Sequence, residues 1–273
     1  MKTNLTFLKS KSNEAKDRAI IVFIPGGPGL SSKTLSGLDI LNRSFDLALV
    51  DPPGTGGQRD PEKQYFDFVL SSFEFELKVL ERPIIIGGHS FGGHQAACLA
   101  ARKNLNYVGL ICLGSPLSES TFNGVTKEYE KLKSPLLEAT EKKWNKSKNI
   151  ENLKNWFSSY EELWFSPNTL DEGRQLILDD KMSLSAFLGV EPNFSGQSQF
   201  FNSLKASSIP KLLIAGELDK LVPSDLLEKD AEAGGFDFNI LKNAAHFMNL
   251  DQSEAVAKLV ENKFIDSRTG IFS

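Results

Sequence analysis

Two cysteines, three histidines and three methionines are all that this 273-residue chain holds of those types, and each scarcity narrows the field. Two cysteines cannot staple a disulfide scaffold. Cys98 falls in an expected helix and Cys112 in an apolar run, so both read as small core residues. Three histidines, with no cysteine or carboxylate at ligand spacing, give no reason to expect a metal. No apolar run is long enough to span a bilayer, and the stretch from Met1 to Lys9 lacks the apolar core of a secretory signal. A cytoplasmic protein is therefore expected. Positive charge is not in excess: 31 Lys and Arg stand against 35 Asp and Glu, a formal net charge of −4. That balance argues against nucleic acid or an anionic membrane as the main partner.

What is present is an ordinary folded composition, 40% hydrophobic and 24% charged, in a chain long enough for a full core. Short apolar runs recur at βα spacing: Ala19 to Ile24, Leu47 to Val50, Ile84 to Ile86, Val108 to Leu113 and Leu212 to Ala215. Continuous β-branched runs of this kind are buried on both faces of a parallel sheet. Leu5 to Leu8 alternates weakly and suggests an antiparallel edge. Phe238 to Leu241 reads as the last strand, and Ser253 to Lys263 as a closing helix. Between about 116 and 207 the rhythm stops, Lys and Glu become dense, and Trp144, Trp156 and Trp164 all appear. The expectation is an α/β fold, a mostly parallel sheet with helices on both faces. Residues 1–115 and 208–273 would form the core and 116–207 an inserted helical cap.

The most informative stretch is Gly88-His89-Ser90-Phe91-Gly92, between an apolar strand and a helix rich in small residues. Ser90 then sits on a strand-to-helix turn too sharp for side chains at the flanking glycines. The turn lifts the hydroxyl above the sheet, beside the Phe91 amide and the positive end of the helix. An exposed serine next to anion-stabilising donors is what acyl transfer requires. A second donor is expected from Pro25-Gly26-Gly27-Pro28-Gly29, after another strand, with Gly27 the first choice and Gly26 next. No Gly-Lys-Ser/Thr follows these glycines, so they are not a phosphate loop.

Serine needs a base, and a base needs an orienting acid. His89 lies in the turn and His94 one helical turn beyond, so neither readily swings back over Ser90. His246 follows the last expected strand, where a loop at the carboxyl edge would present it. In Ala215-Gly216-Glu217-Leu218-Asp219, a strand end and turn glycine lead to Asp219, with Glu217 and Asp225 as competitors. Asp225 stands at a helix start and is better explained as capping it. Asp51 reads as a loop brace.

With these residues in place, the chain resembles the α/β-hydrolase superfamily over nearly all its length outside the cap. The order Ser90, Asp219, His246 matches that family's nucleophile, acid and base. Pro25-Gly26-Gly27-Pro28-Gly29 and Asp51-Pro52-Pro53-Gly54-Thr55-Gly56 resemble loops of prolyl aminopeptidases and their esterase and amidase relatives. Pro25 replaces the usual histidine, and Pro52-Pro53 a polar and basic pair. The resemblance implies a serine hydrolase acting on a small ester or amide, or on a short peptide, without a cofactor. It also implies acids that receive a substrate amine. Glu161 and Glu162, next to Trp164, are the nearest match, with a solvated helix face as the competing reading. A prolyl aminopeptidase-like activity is the leading expectation. A carboxylic-ester hydrolase, or a carbon–carbon lyase on the same scaffold, is the alternative.

Overall fold

A computed structural model describes residues 3–10, 19–132 and 134–265; the outer ends of the expected core segments, 1–2 and 266–273, lie outside the described residues. The strands are β1 (Asn4–Leu8), β2 (Ile20–Ile24), β3 (Leu47–Asp51), β4 (Ile84–His89), β5 (Tyr107–Leu113), β6 (Lys211–Gly216) and β7 (Asp237–Leu241). They form one sheet in the order β1-β3-β2-β4-β5-β6-β7. β1 runs antiparallel to β3, with Leu5 opposite Val50. Every other neighbouring pair is parallel. The weakly alternating Leu5 to Leu8 stretch is thus the antiparallel edge.

The two-residue strand period explains the continuous apolar runs. Ile20, Val22 and Ile24 face one core, and Ile21 and Phe23 the other. The first core receives α1 (Phe66–Leu77) and α2 (Phe91–Arg102), through Val69, Leu70 and Phe73, and Ala96, Ala97 and Ala100. Alanines on α2 let its backbone lie close to the sheet. The second core receives two 3-10 turns, Ser32–Leu35 and Leu38–Arg43, with Leu35, Leu38 and Leu41.

Among the described residues, seven helices separate β5 from β6: α3 (Glu119–Lys131), α4 (Pro135–Lys146), α5 (Ile150–Ser159), α6 (Glu161–Trp164), α7 (Leu170–Asp179), α8 (Leu184–Gly189) and α9 (Gln197–Ala206). Four begin on a side-chain cap that accepts from an otherwise unpaired amide. Ser118 caps α3, Ser134 caps α4 just ahead of Pro135, Asn149 caps α5 and Ser183 caps α8. The chain then closes with α10 (Ser224–Gly234), α11 (Met248–Asp251) and α12 (Ser253–Ile265). α10 joins the first core through Leu227 and Ala231, and α12 the second through Val256, Val260 and Phe264. Buried Asp230 of α10 accepts from the amides of Leu117 and Ser118, at 2.7 and 3.1 Å, tying the start of the helical stretch to the core. No helix among the described residues is long and apolar enough to cross a membrane.

Candidate active site

Ser90 occupies the single step between β4 and α2, at φ 52° and ψ −124°, a conformation that L-residues rarely adopt. The neighbouring glycines hold it there by close approach. A Cβ on Gly88 would fall into the backbone of Gly92, and one on Gly92 into the carbonyls of Ile24 and Pro25. The Ser90 amide donates to the Leu113 carbonyl at 2.7 Å, fixing the turn to β5.

Gly26 packs directly on this turn. A Cβ there would stand 3.1 Å from Ser90 Cβ and 3.2 Å from His89 Nδ1. Gly27, at φ 120°, adopts a backbone that favours glycine and borders the cavity next to Ser90. Neither the Gly27 nor the Phe91 amide has a hydrogen-bond acceptor among the described residues. Both remain available to an incoming oxygen.

The Asp219 carboxylate is buried and fully engaged. One oxygen accepts from the amides of Leu221 and Val222, each at 2.9 Å, and the other lies 2.8 Å from His246 Nδ1. The two loops meet because Gly216 has no side chain: a Cβ there would collide with the carbonyls of Ala244 and Ala245. Gly114 serves the same end from below, where a Cβ would stand 3.3 Å from His246 Nδ1. Glu217, the competing acid, accepts from the Asn243 amide at 3.1 Å on the exposed side of the same loops. Asp225 lies in the first turn of α10. Asp51 accepts from the Ser32 amide at 2.8 Å, at the loop after β2.

His246 Nε2 is buried and has no hydrogen-bond partner. It shares with Ser90 a cavity of about 50 Å³, walled mainly by Tyr129, Trp156, Phe157, Trp164 and Phe187. Ser90, Asp219 and His246, distant in sequence, thus converge at the carboxyl ends of β4, β6 and β7.

Sequence reasoning set His89 aside as a base and missed what it holds. Its Nε2 pairs with the His246 carbonyl at 2.9 Å, so the ring is protonated at Nε2 and donates. Its ring centroid lies 4.8 Å from that of His246 and 4.6 Å from that of Phe247. Burial, reinforced by the neighbouring His246, pushes its pKa down to about 3, so it stays neutral. His94 is likewise buried, among phenyl rings of Phe66, Phe91 and Phe122.

The three residues expected to bind substrate part ways. Trp164 borders the Ser90 cavity, with its indole N–H committed to the Phe157 carbonyl at 3.1 Å. Glu161 does not border it; its carboxylate forms a two-pronged ion pair with Arg174. Glu162 borders a different cavity, of about 620 Å³, beyond the Asp219 loop. The expectation of an amine-binding acid pair at Ser90 is therefore not met by these two residues. They follow Tyr160 in a four-residue helix whose inward positions belong to Leu163 and Trp164.

A sequence profile of the Alpha/beta hydrolase family matches residues 21–259. That covers most of the chain, which therefore belongs to the alpha/beta hydrolase family, a class of enzymes. Solved structures share the architecture. A thermophilic esterase from Thermogutta terrifontis is 19% identical with a TM-score of 0.66, covering 98% of this chain and 94% of that one. MenH from S. aureus is 16% identical with a TM-score of 0.72, covering 96% and 98%. VinJ is also 16% identical with a TM-score of 0.72, covering 97% and 95%. No curated protein matches the sequence.

Proposed function

We propose that this protein is a carboxylic-ester hydrolase that works through an acyl-enzyme on Ser90. The observation that carries the reading is the buried Asp219–His246 pair at 2.8 Å, whose imidazole borders the same aromatic cavity as Ser90 and whose Nε2 has no hydrogen-bond partner. Asp219 holds the imidazole with Nδ1 protonated, leaving Nε2 to take the Ser90 proton as the hydroxyl attacks the ester carbonyl. The amides of Phe91 and Gly27 receive the oxyanion, each contributing on the order of 3 kcal/mol to the transition state. His246 then returns the proton to the leaving alcohol. Water, activated by the same nitrogen, releases the acid.

Ester is preferred to an N-terminal peptide for an electrostatic reason. A peptide's free amine is a cation and needs a carboxylate partner when it leaves water. Apart from Ser90 and the two histidines, the cavity presents aromatic and aliphatic walls and the Gly27 backbone. Glu161, the nearest sequence candidate, is neutralised by Arg174.

The test is turnover of p-nitrophenyl acetate beside proline and alanine arylamides. Ester cleavage is expected, with labelling of Ser90 by a fluorophosphonate, and Ser90→Ala should lose both while keeping its melting temperature. Activity retained in Ser90→Ala would discard this nucleophile. Arylamide cleavage without ester cleavage would return the aminopeptidase reading, and turnover without labelling would point to proton-transfer chemistry of the lyase kind.

A further inference from the structure

The cavity beside Ser90 is small, and Phe187 is one of its aromatic walls. A water needs about 10–15 Å³ of such space, so a cavity of about 50 Å³ accommodates on the order of four non-hydrogen atoms. An acetyl to butyryl group is of that size. Phe187 is the only cavity wall contributed by α8, and its ring is wedged among other aromatics. Its centroid lies 5.6 Å from that of Trp144, 5.7 Å from Trp156 and 5.6 Å from Phe157.

A small cavity limits substrate only if its wall does not move, and α8 is bonded at its start and closely packed at its end. At its start, the Ser183 amide donates to the Gly29 carbonyl at 2.9 Å, joining α8 to the glycine loop beside Ser90. Asp60 accepts from the Ser183 hydroxyl at 2.6 Å and from the amides of Leu184 and Ser185 at 2.9 and 3.1 Å. Gln64 donates to the hydroxyls of Ser183 and Ser185, at 2.9 and 3.0 Å. At the other end, Gly189 lies so close to the Gln64 carbonyl that a Cβ would stand only 2.5 Å from it. Displacing α8 would break several of these bonds together.

We propose that Phe187 is the stop of the acyl pocket, and that it confines the enzyme to esters of short acyl chains. This rests on the ester-hydrolase reading above. With α8 anchored, a longer chain would have to displace the Phe187 ring from its aromatic neighbours, and the penalty falls on the acylation transition state.

The experiment is kcat/KM for p-nitrophenyl acetate, butyrate and octanoate with the full chain, Phe187→Ala and Phe187→Leu, each checked by circular dichroism and melting. The wild type should favour acetate over octanoate by about 100-fold or more. The octanoate-to-acetate ratio should rise by roughly tenfold or more in Phe187→Ala, and by a smaller factor in Phe187→Leu. Phe187→Leu retains most of the bulk and serves if the alanine variant does not fold. A wild type that takes octanoate as readily as acetate overturns the stop, and so does an unchanged ratio in a folded variant. Absence of all ester turnover, together with no fluorophosphonate labelling of Ser90, would instead remove the hydrolase reading and this inference with it.

Discussion

Asp219 shows how one side chain acquires a single orientation. Two backbone amides hold one carboxylate oxygen and leave the other aimed at His246 Nδ1. Asp219→Asn keeps the shape and exchanges an anion for an amide, which no longer stabilises the imidazolium or selects its tautomer. Turnover of p-nitrophenyl acetate should fall by about 10⁴-fold in kcat while the melting temperature changes little. A loss below tenfold would remove Asp219 from that role. In the sequence, Glu217 and Asp219 compete because they lie two residues apart after the same strand. Only the packing of Gly216 on Ala244 and Ala245 brings one to the imidazole, while the other meets Asn243.

At the scale of elements, the core strands were legible because burial on both faces writes an uninterrupted apolar run. The elbow was legible too, since its glycines stand where backbones touch. Helix α2 begins at Phe91, ahead of the stretch from His94 onward that reads as helical by composition. Its first turn, Phe91 to Gly93, is glycine-rich because it is pressed against β2 and Ser115. The helices between β5 and β6 were legible as a change of texture, not one by one. Several are short, and α6 and α8 span four and six residues, less than two turns. Such helices persist through anchors from distant parts of the chain. For α8 one anchor is Asp60, and Asp60→Ala should cost about 1 kcal/mol of local stability. Amide exchange over 184–189 should then quicken by roughly fivefold, with the rest of the sheet unchanged. Unaltered protection there would mean that the bonds to Gly29 and Gln64, with the close packing of Gly189, hold the helix without Asp60.

Across the whole molecule, burial keeps His89 and His94 neutral. Burial pushes the pKa of His89 down to about 3 and that of His94 down to about 4, whereas in the unfolded chain both titrate near 6.5. As pH falls below about 6.5, the unfolded chain takes up protons that the native state refuses, so stability is lost. The loss approaches about 1.4 kcal/mol per pH unit for each histidine and levels off once pH drops below the folded values. Above pH 6.5 neither histidine contributes to the slope. Asp180, whose carboxyl burial raises, works in the opposite sense. Urea midpoints at pH 7 and pH 4.5 should therefore differ, and His94→Phe should remove close to half of the difference. An identical difference in that variant would exclude His94 as its source.

By itself the sequence determined the sheet and the serine elbow, and it set Asp219 and His246 in loops that follow strands. Each is written locally, in strand periodicity, in glycines at close approaches and in loops that follow strands. The tertiary structure decided which acid meets His246, that His89 pairs with the His246 carbonyl, and that Glu161 faces Arg174. It also decided how much room remains beside Ser90. These are contacts between residues far apart in the chain, and their outcome depends on how short helices seat on a distant surface, which no local pattern encodes.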